Sequence, residues 1–168
     1  VRVGKTYRAR VRHKDTTNRW SHWSPPLEFT VSDPDISNFS NLRISELMYN
    51  PIGPSESELE KHPSLRDSDF EWIEITNDGN EQVSIEGLRF TKGIEYNFSD
   101  SKIKIIKPGE SLIIVANEDA FKLRYQFSET PDFVAGTFTK NLSNSGERIK
   151  LSYGAGTSVV DFEFKDHS

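Results

Sequence analysis

Leu42-Arg43-Ile44-Ser45-Glu46-Leu47-Met48-Tyr49-Asn50-Pro51, Asp69-Phe70-Glu71-Trp72-Ile73-Glu74-Ile75 and Leu142-Ser143-Asn144-Ser145-Gly146-Glu147-Arg148-Ile149-Lys150-Leu151 are the stretches on which the reading of this chain turns. In the middle one, residues 70–76 alternate with the period of a strand. Phe70, Trp72, Glu74 and Thr76 share one face and Glu71, Ile73 and Ile75 the other, so each face carries a carboxylate. Arg43 to Met48 reads as the preceding strand, stopped by Pro51, Gly53 and Pro54. Asn77-Asp78-Gly79-Asn80 is a reverse-turn signal, because Asp-Gly tolerates positive φ.

Working outward, strands are expected at 82–85, 88–91, 95–98 and 111–115, with Pro108-Gly109 turning the chain before the last. One helix is expected near 118–126. Asn117 caps it, and Glu118 and Asp119 sit in the first turn, where the helix dipole favours negative charge. An edge strand at 131–138 follows, then a turn at Asn144-Ser145-Gly146, and then a closing hairpin of 148–153 with 158–164. Residues 53–69 form an acidic surface excursion with a helical turn at 58–62.

At the other end, residues 7–13 alternate strictly, placing Tyr7, Ala9 and Val11 opposite Arg8, Arg10 and Arg12. A second strand is expected at 27–31 after Pro25-Pro26. Such a hairpin is marginal alone in water, so residues 1–32 are expected to dock on the second domain or fray. Residues 33–41, rich in turn formers and containing Pro34, read as a linker to a domain spanning 42–166.

The order and spacing of the three quoted stretches resemble bacterial lamin-tail domains, as do the helix after Val115-Ala116-Asn117 and the Phe121-x-x-Arg124-Tyr125 pattern within it. That resemblance implies an all-β, immunoglobulin-like β-sandwich that binds or spaces, with no reaction attached. Residues 1–32 resemble the last two strands of a fibronectin type III domain, about a third of a module of ~100 residues. Within them Trp20-Ser21-His22-Trp23-Ser24 is similar to the Trp-Ser-x-Trp-Ser signature of cytokine-receptor fibronectin modules. This implies a ladder in which Arg8, Arg10 and Arg12, roughly 7 Å apart along one strand face, sandwich Trp20 and Trp23 by cation–π attraction. A stiffening clasp is preferred over a ligand site, because stacking satisfies both partners internally.

Composition narrows the function classes. A net charge of −5 argues against polyanion binding, so no nucleic acid is expected as partner. The absence of Cys excludes disulfides and thiolate metal sites. No apolar run is long enough to span a bilayer. His13, His22, His62 and His167 are scattered at no catalytic or metal spacing, and no nucleophile elbow or phosphate loop occurs, so this stretch of chain is not expected to be an enzyme. No cofactor is implied except calcium. The candidate set for it is Glu46, Asp67, Asp69, Glu71 and Glu74, since calcium takes six to eight oxygens. The competing reading has Glu46 and Glu74 accepting from strand backbones, Arg43 or Arg148, with the loop acids facing solvent.

The expected function is a noncatalytic interaction or spacer module of a larger secreted bacterial protein, at the cell surface or outside it, with an unidentified protein or cell-surface partner. Two alternatives stand beside it. One is an accessory domain of an exported enzyme, such as a CotH-type kinase, whose active site lies elsewhere. The other is a lamina-like module binding chromatin or protein.

Overall fold

The computed structural model describes residues 2–166, and the chain divides into two compact units, Val1–Pro34 and Asp35–Ser168. In the first, β1 (Thr6–Ala9) pairs antiparallel with β2 (Leu27–Thr30), Tyr7 opposite Phe29 with their rings stacked. β1 is shorter than the alternating run because Pro25 and Pro26 have no N–H to offer the residues opposite. Residues 11 and 13 are held differently. The Ser24 and Ser21 hydroxyls accept from Val11 N (3.1 Å) and His13 N (3.0 Å), while Ser24 N and Ser21 N donate to the Val11 and His13 carbonyls. The two serines of the Trp-Ser-x-Trp-Ser run thus stand in for strand carbonyls. A tight turn closes the end, with the Asp15 carboxylate accepting from Thr17 N and Arg19 N.

In the second unit β3 (Leu42–Met48), β4 (Trp72–Asn77), β9 (Ser111–Val115) and β10 (Val134–Thr137) form one sheet in the order β10-β9-β4-β3. A second sheet has the order β12-β11-β6-β7, from β6 (Leu88–Lys92), β7 (Tyr96–Asn97), β11 (Gly146–Tyr153) and β12 (Thr157–Lys165). β5 (Val83–Ser84) and β8 (Ile105–Ile106) make a small two-stranded sheet. The facing sides of the two large sheets build one core. Ile73 and Ile75 with Leu112 and Ile114 meet Leu88, Phe90, Ile149 and Leu151. This is the immunoglobulin-like sandwich that the resemblance to lamin-tail domains implies.

β9 and β10 run parallel, which a hairpin cannot join, and α2 (Glu118–Tyr125) supplies the crossover. Its cap is as the residues dictate: the Asn117 side chain accepts from Asp119 N and Ala120 N. The helix stops at Gln126, which adopts the left-handed conformation with φ of 59°. Phe121 carries α2 onto the outer face of the first sheet, against Trp72, Val115 and Val134. Gly146 opens β11 at φ 98°, where a Cβ would collide with the Phe164 carbonyl, so this position of the third quoted stretch requires glycine.

Several expectations change. The excursion at 53–69 holds a six-residue helix, α1 (Glu56–Lys61), two residues earlier than expected, closed by a reciprocal capping box of Ser55 and Glu58. β8 was not foreseen, since two strand residues among lysines leave no periodic signal. Residues 35–41 belong to the second unit. Ser37–Phe39 is a 3-10 turn that drops Phe39 into the core at 7% exposure against Tyr153, so a turn-rich composition hid a core anchor. We expect Phe39→Ala to destabilise the second unit by about 3–5 kcal/mol in urea unfolding. A change below about 0.5 kcal/mol would return the segment to linker status.

Candidate functional site

The five carboxylates of the calcium set do not converge. Alternation along β4 sends Glu74 to the outer face of its sheet, whereas Glu71, just before the strand, is buried at 2% exposure. A bulge in β3 between Ile44 and Glu46 places Glu46 opposite Glu74. Glu74 accepts from Ser45 Oγ at 2.6 Å, and Thr76 continues the polar row to Ser45 and Ser111. Asp67 accepts from Ser68 N, and Asp69 accepts from Arg66 N and Asn117 Nδ2. Among the described residues no three His, Asp or Glu side chains are grouped so as to hold a metal ion, so the five carboxylates do not form one cage. Arg148 and Arg43 do not serve Glu46 or Glu74 either. Arg148 forms a bidentate pair with Asp161, and Arg43 donates to the Ser40 and Leu42 carbonyls. His13, His22 and His62 lie in no such group, and His167 falls outside the described residues.

Glu71 has a different task. One carboxyl oxygen accepts from Leu142 N at 2.7 Å, and its own carbonyl accepts from Ala116 N. It thereby ties β4 to the start of the β11 hairpin and to the end of β9. Burial pushes its carboxyl up to about 7; the Leu142 N–H opposes this, and the neighbouring charges of Asp67, Glu147 and Asp69 add to it.

Arg124, legible in the sequence only as part of a pattern, is the strongest polar node. Its Nε and Nη2 hold the two oxygens of Glu58 at 2.9 and 3.0 Å, and Nη1 and Nη2 donate to the carbonyls of Ile52 (2.7 Å) and Gly53 (3.2 Å). The guanidinium also lies 3.4 Å from the centroid of Phe70. Arg124 therefore pins residues 52–58 to α2. Its hydrogen bonds, with those from Ser55, hold the Glu58 carboxyl down at about 2. The Ser55-x-x-Glu58 spacing is a capping-box signal that the reading of 58–62 as the helical turn misses, and it does not name Arg124 as the partner.

Above this pair opens a cleft of about 610 Å³ between α1 and the end of α2, lined by Ser55, Ser57, Lys61, Lys122, Phe127 and Ser128 among others. Aromatic rings continue from it across the surface. Phe121 touches Tyr125 (4.7 Å) and stacks on Phe127 (6.0 Å, 12°), and Phe127 meets Phe133 edge-on. Trp72 Nε1 donates to Tyr125 Oη at 3.0 Å. Tyr125, Phe127 and Phe133 each stay about 40% exposed.

In the first unit cations and indoles alternate. Arg10 lies 5.9 Å from the Trp23 ring, Arg12 lies 4.6 Å from Trp23 and 4.2 Å from Trp20, and Lys14 lies 5.5 Å from Trp20. Arg8, expected in this ladder, pairs instead with Glu28 across the hairpin. Lys14 takes the place at the far end, a position that continuing the same period-two count would have reached.

A family model described as Lamin Tail Domain matches residues 36–166. No curated protein matches the chain. Among the described residues no helix is long and apolar enough to cross a membrane.

Two outcomes follow. A folded-state value near 7 against an unfolded one near 4.5 means that Glu71 keeps its proton in the folded state while the unfolded chain loses it. Its contribution is fully present below about pH 4.5 and is lost as pH rises to 7, up to about 3 kcal/mol. Urea midpoints at pH 5 and 7.5 should therefore differ by less in Glu71→Gln, which keeps the acceptor for Leu142 N, and equal pH slopes would contradict this. In the first unit, Trp23→Ala removes two ring contacts worth about 0.5–1 kcal/mol each. The Val11 and His13 amides should exchange several-fold faster, with Trp23→Phe in between; unaltered exchange would make the ladder ornamental.

Proposed function

This chain belongs to the lamin tail domain family, and from that membership we propose that it is a noncatalytic interaction and spacer module of a larger, secreted bacterial protein. The observation that carries this reading is the way the conspicuous charged groups are consumed. Arg124 is saturated by Glu58, two carbonyls and a ring. Arg12 lies between two indoles, and Glu71 holds a backbone N–H in the interior. General acid–base or nucleophilic chemistry needs such groups free and convergent on one reacting atom. Here they brace the fold, and what the surface leaves for partners is apolar and polar contact area, above all the Tyr125–Phe127–Phe133 ridge.

Residues 1–32 fit this role as the closing hairpin of a fibronectin type III-like module, stiffened by the stacked Trp20-Ser21-x-Trp23-Ser24 run. Two β modules in tandem suit an extended surface protein, and in a parent bearing an enzyme domain the pair would be its accessory part. The net charge of −5 weighs against a chromatin-binding role.

The test is excision of residues 36–166 from the parent protein. Retention at the cell surface or attachment to a partner should fall, while any turnover by the remaining folded domains persists. Loss of turnover with attachment intact would overturn the proposal.

A further inference from the structure

The cleft over the Arg124–Glu58 pair is built from three kinds of surface that one class of ligand uses together. The first is a flat ring. Gln126, in the left-handed conformation, reverses the chain at the end of α2, and Phe127 N donates to the Lys122 carbonyl at 2.9 Å. This folds Phe127 back until it lies nearly parallel to Phe121, at an interplanar angle of 12°. Its ring lines the cleft at 40% exposure, held from behind by Phe121 and at its side by Phe133. An aromatic ring braced in this way loses little freedom when something flat and apolar lies on it.

The second is cationic. Lys61, at the end of α1, makes no ion pair among the described residues. Lys122, on the opposite wall, is only 27% exposed and reaches Asp119 at 2.8 Å, so its charge is partly spent. The third is hydroxyl. Ser57 and Ser128 line the same cleft beside Ser55, which the capping box already occupies and whose Oγ the Ser57 hydroxyl meets at 3.2 Å. The floor is a closed ion pair that offers no net charge.

A bare inorganic anion would have no use for the ring, and a neutral saccharide none for Lys61. A pyranose carrying a carboxylate uses all three surfaces: its C–H face on Phe127, its hydroxyls toward Ser57 and Ser128, and its carboxylate toward Lys61. The cleft volume lies within the ~300–1,000 Å³ usual for small-molecule sites. We propose that this cleft binds a uronic acid unit of an acidic polysaccharide. This deepens the interaction-module reading and rests on it. Since the chain as a whole is acidic, such a polymer would be held at this one place, weakly and with marked sensitivity to salt.

The experiment is calorimetric titration of the 168-residue chain with short oligomers of galacturonate, glucuronate and mannuronate. Methyl-esterified oligogalacturonate, pentaglutamate and inorganic phosphate are the comparisons. At least one uronate oligomer should bind, with its methyl ester, where prepared, and pentaglutamate at least tenfold weaker. Lys61→Gln and Phe127→Leu should each weaken the binding at least tenfold with melting temperatures unchanged. Phe127→Leu keeps the packing on Phe121 and loses the flat face. No binding by any of the three uronates would overturn the proposal, as would equal binding of pentaglutamate. Binding that neither variant alters would place the sugar elsewhere and overturn the cleft while leaving the interaction-module reading intact. That reading stands or falls by the excision experiment instead.

Discussion

β4 is hydrogen-bonded on both sides, to β3 and to β9, so its two faces must satisfy two environments at once. Inward, Ile73 and Ile75 are at most 1% exposed against the second sheet, each a burial of roughly 1.5–3 kcal/mol. Asn77 ends the same row. It is fully buried because its side chain donates to the carbonyls of Glu81 and Ile106 and accepts from Gly79 N, which ties the following turn to β8. Outward, Trp72 receives α2, while Glu74 and Thr76 continue as a hydroxyl and carboxylate row. A slip of one residue in this strand would exchange the isoleucines for Glu74 and Thr76, so the alternation selects the register of the whole sheet.

Once that sheet is in place, the irregular parts are held by polar contacts whose partners are far apart in sequence. Arg124 reaches residues 52, 53 and 58 from α2, and Glu71 reaches Leu142. Both act where backbone groups would otherwise be left without partners, and among the described residues no fully buried side-chain nitrogen or oxygen lacks one. The first unit solves a similar problem with exposed groups: Ser21 and Ser24 replace the acceptors that a regular strand would have supplied, and the stacked cations and indoles cover the strip so formed.

The strands and α2 were legible because their determinants are local. Period-two alternation at 70–76, the Asn117 cap and the Asn144-Ser145-Gly146 turn each act within a few residues. The candidate site was less legible. The alternation at 70–76 already sets Glu71 and Glu74 on opposite faces, which argues against one cage for the five carboxylates, but only the bulge in β3 decides that Glu46 lies opposite Glu74. The opposite error occurred at 35–41, where turn-forming residues concealed Phe39. The resemblance and the period-two spacing put Arg8 in the ladder, but Glu28 across the hairpin binds it instead.

By itself the sequence determined the strands, the capped helix and the alternating basic and aromatic runs, because periodicity and caps are properties of short segments, while the family and its class of fold came from the resemblance carried by the order and spacing of dispersed motifs. Tertiary structure alone decided which charges meet. It brought Glu58 to Arg124 over 66 residues and Leu142 to Glu71 over 71, and it turned Phe127 into a wall of the cleft. Such pairings depend on how sheets, crossover helix and excursion pack together, and electrostatic and aromatic contacts at that range leave no periodic trace along the chain.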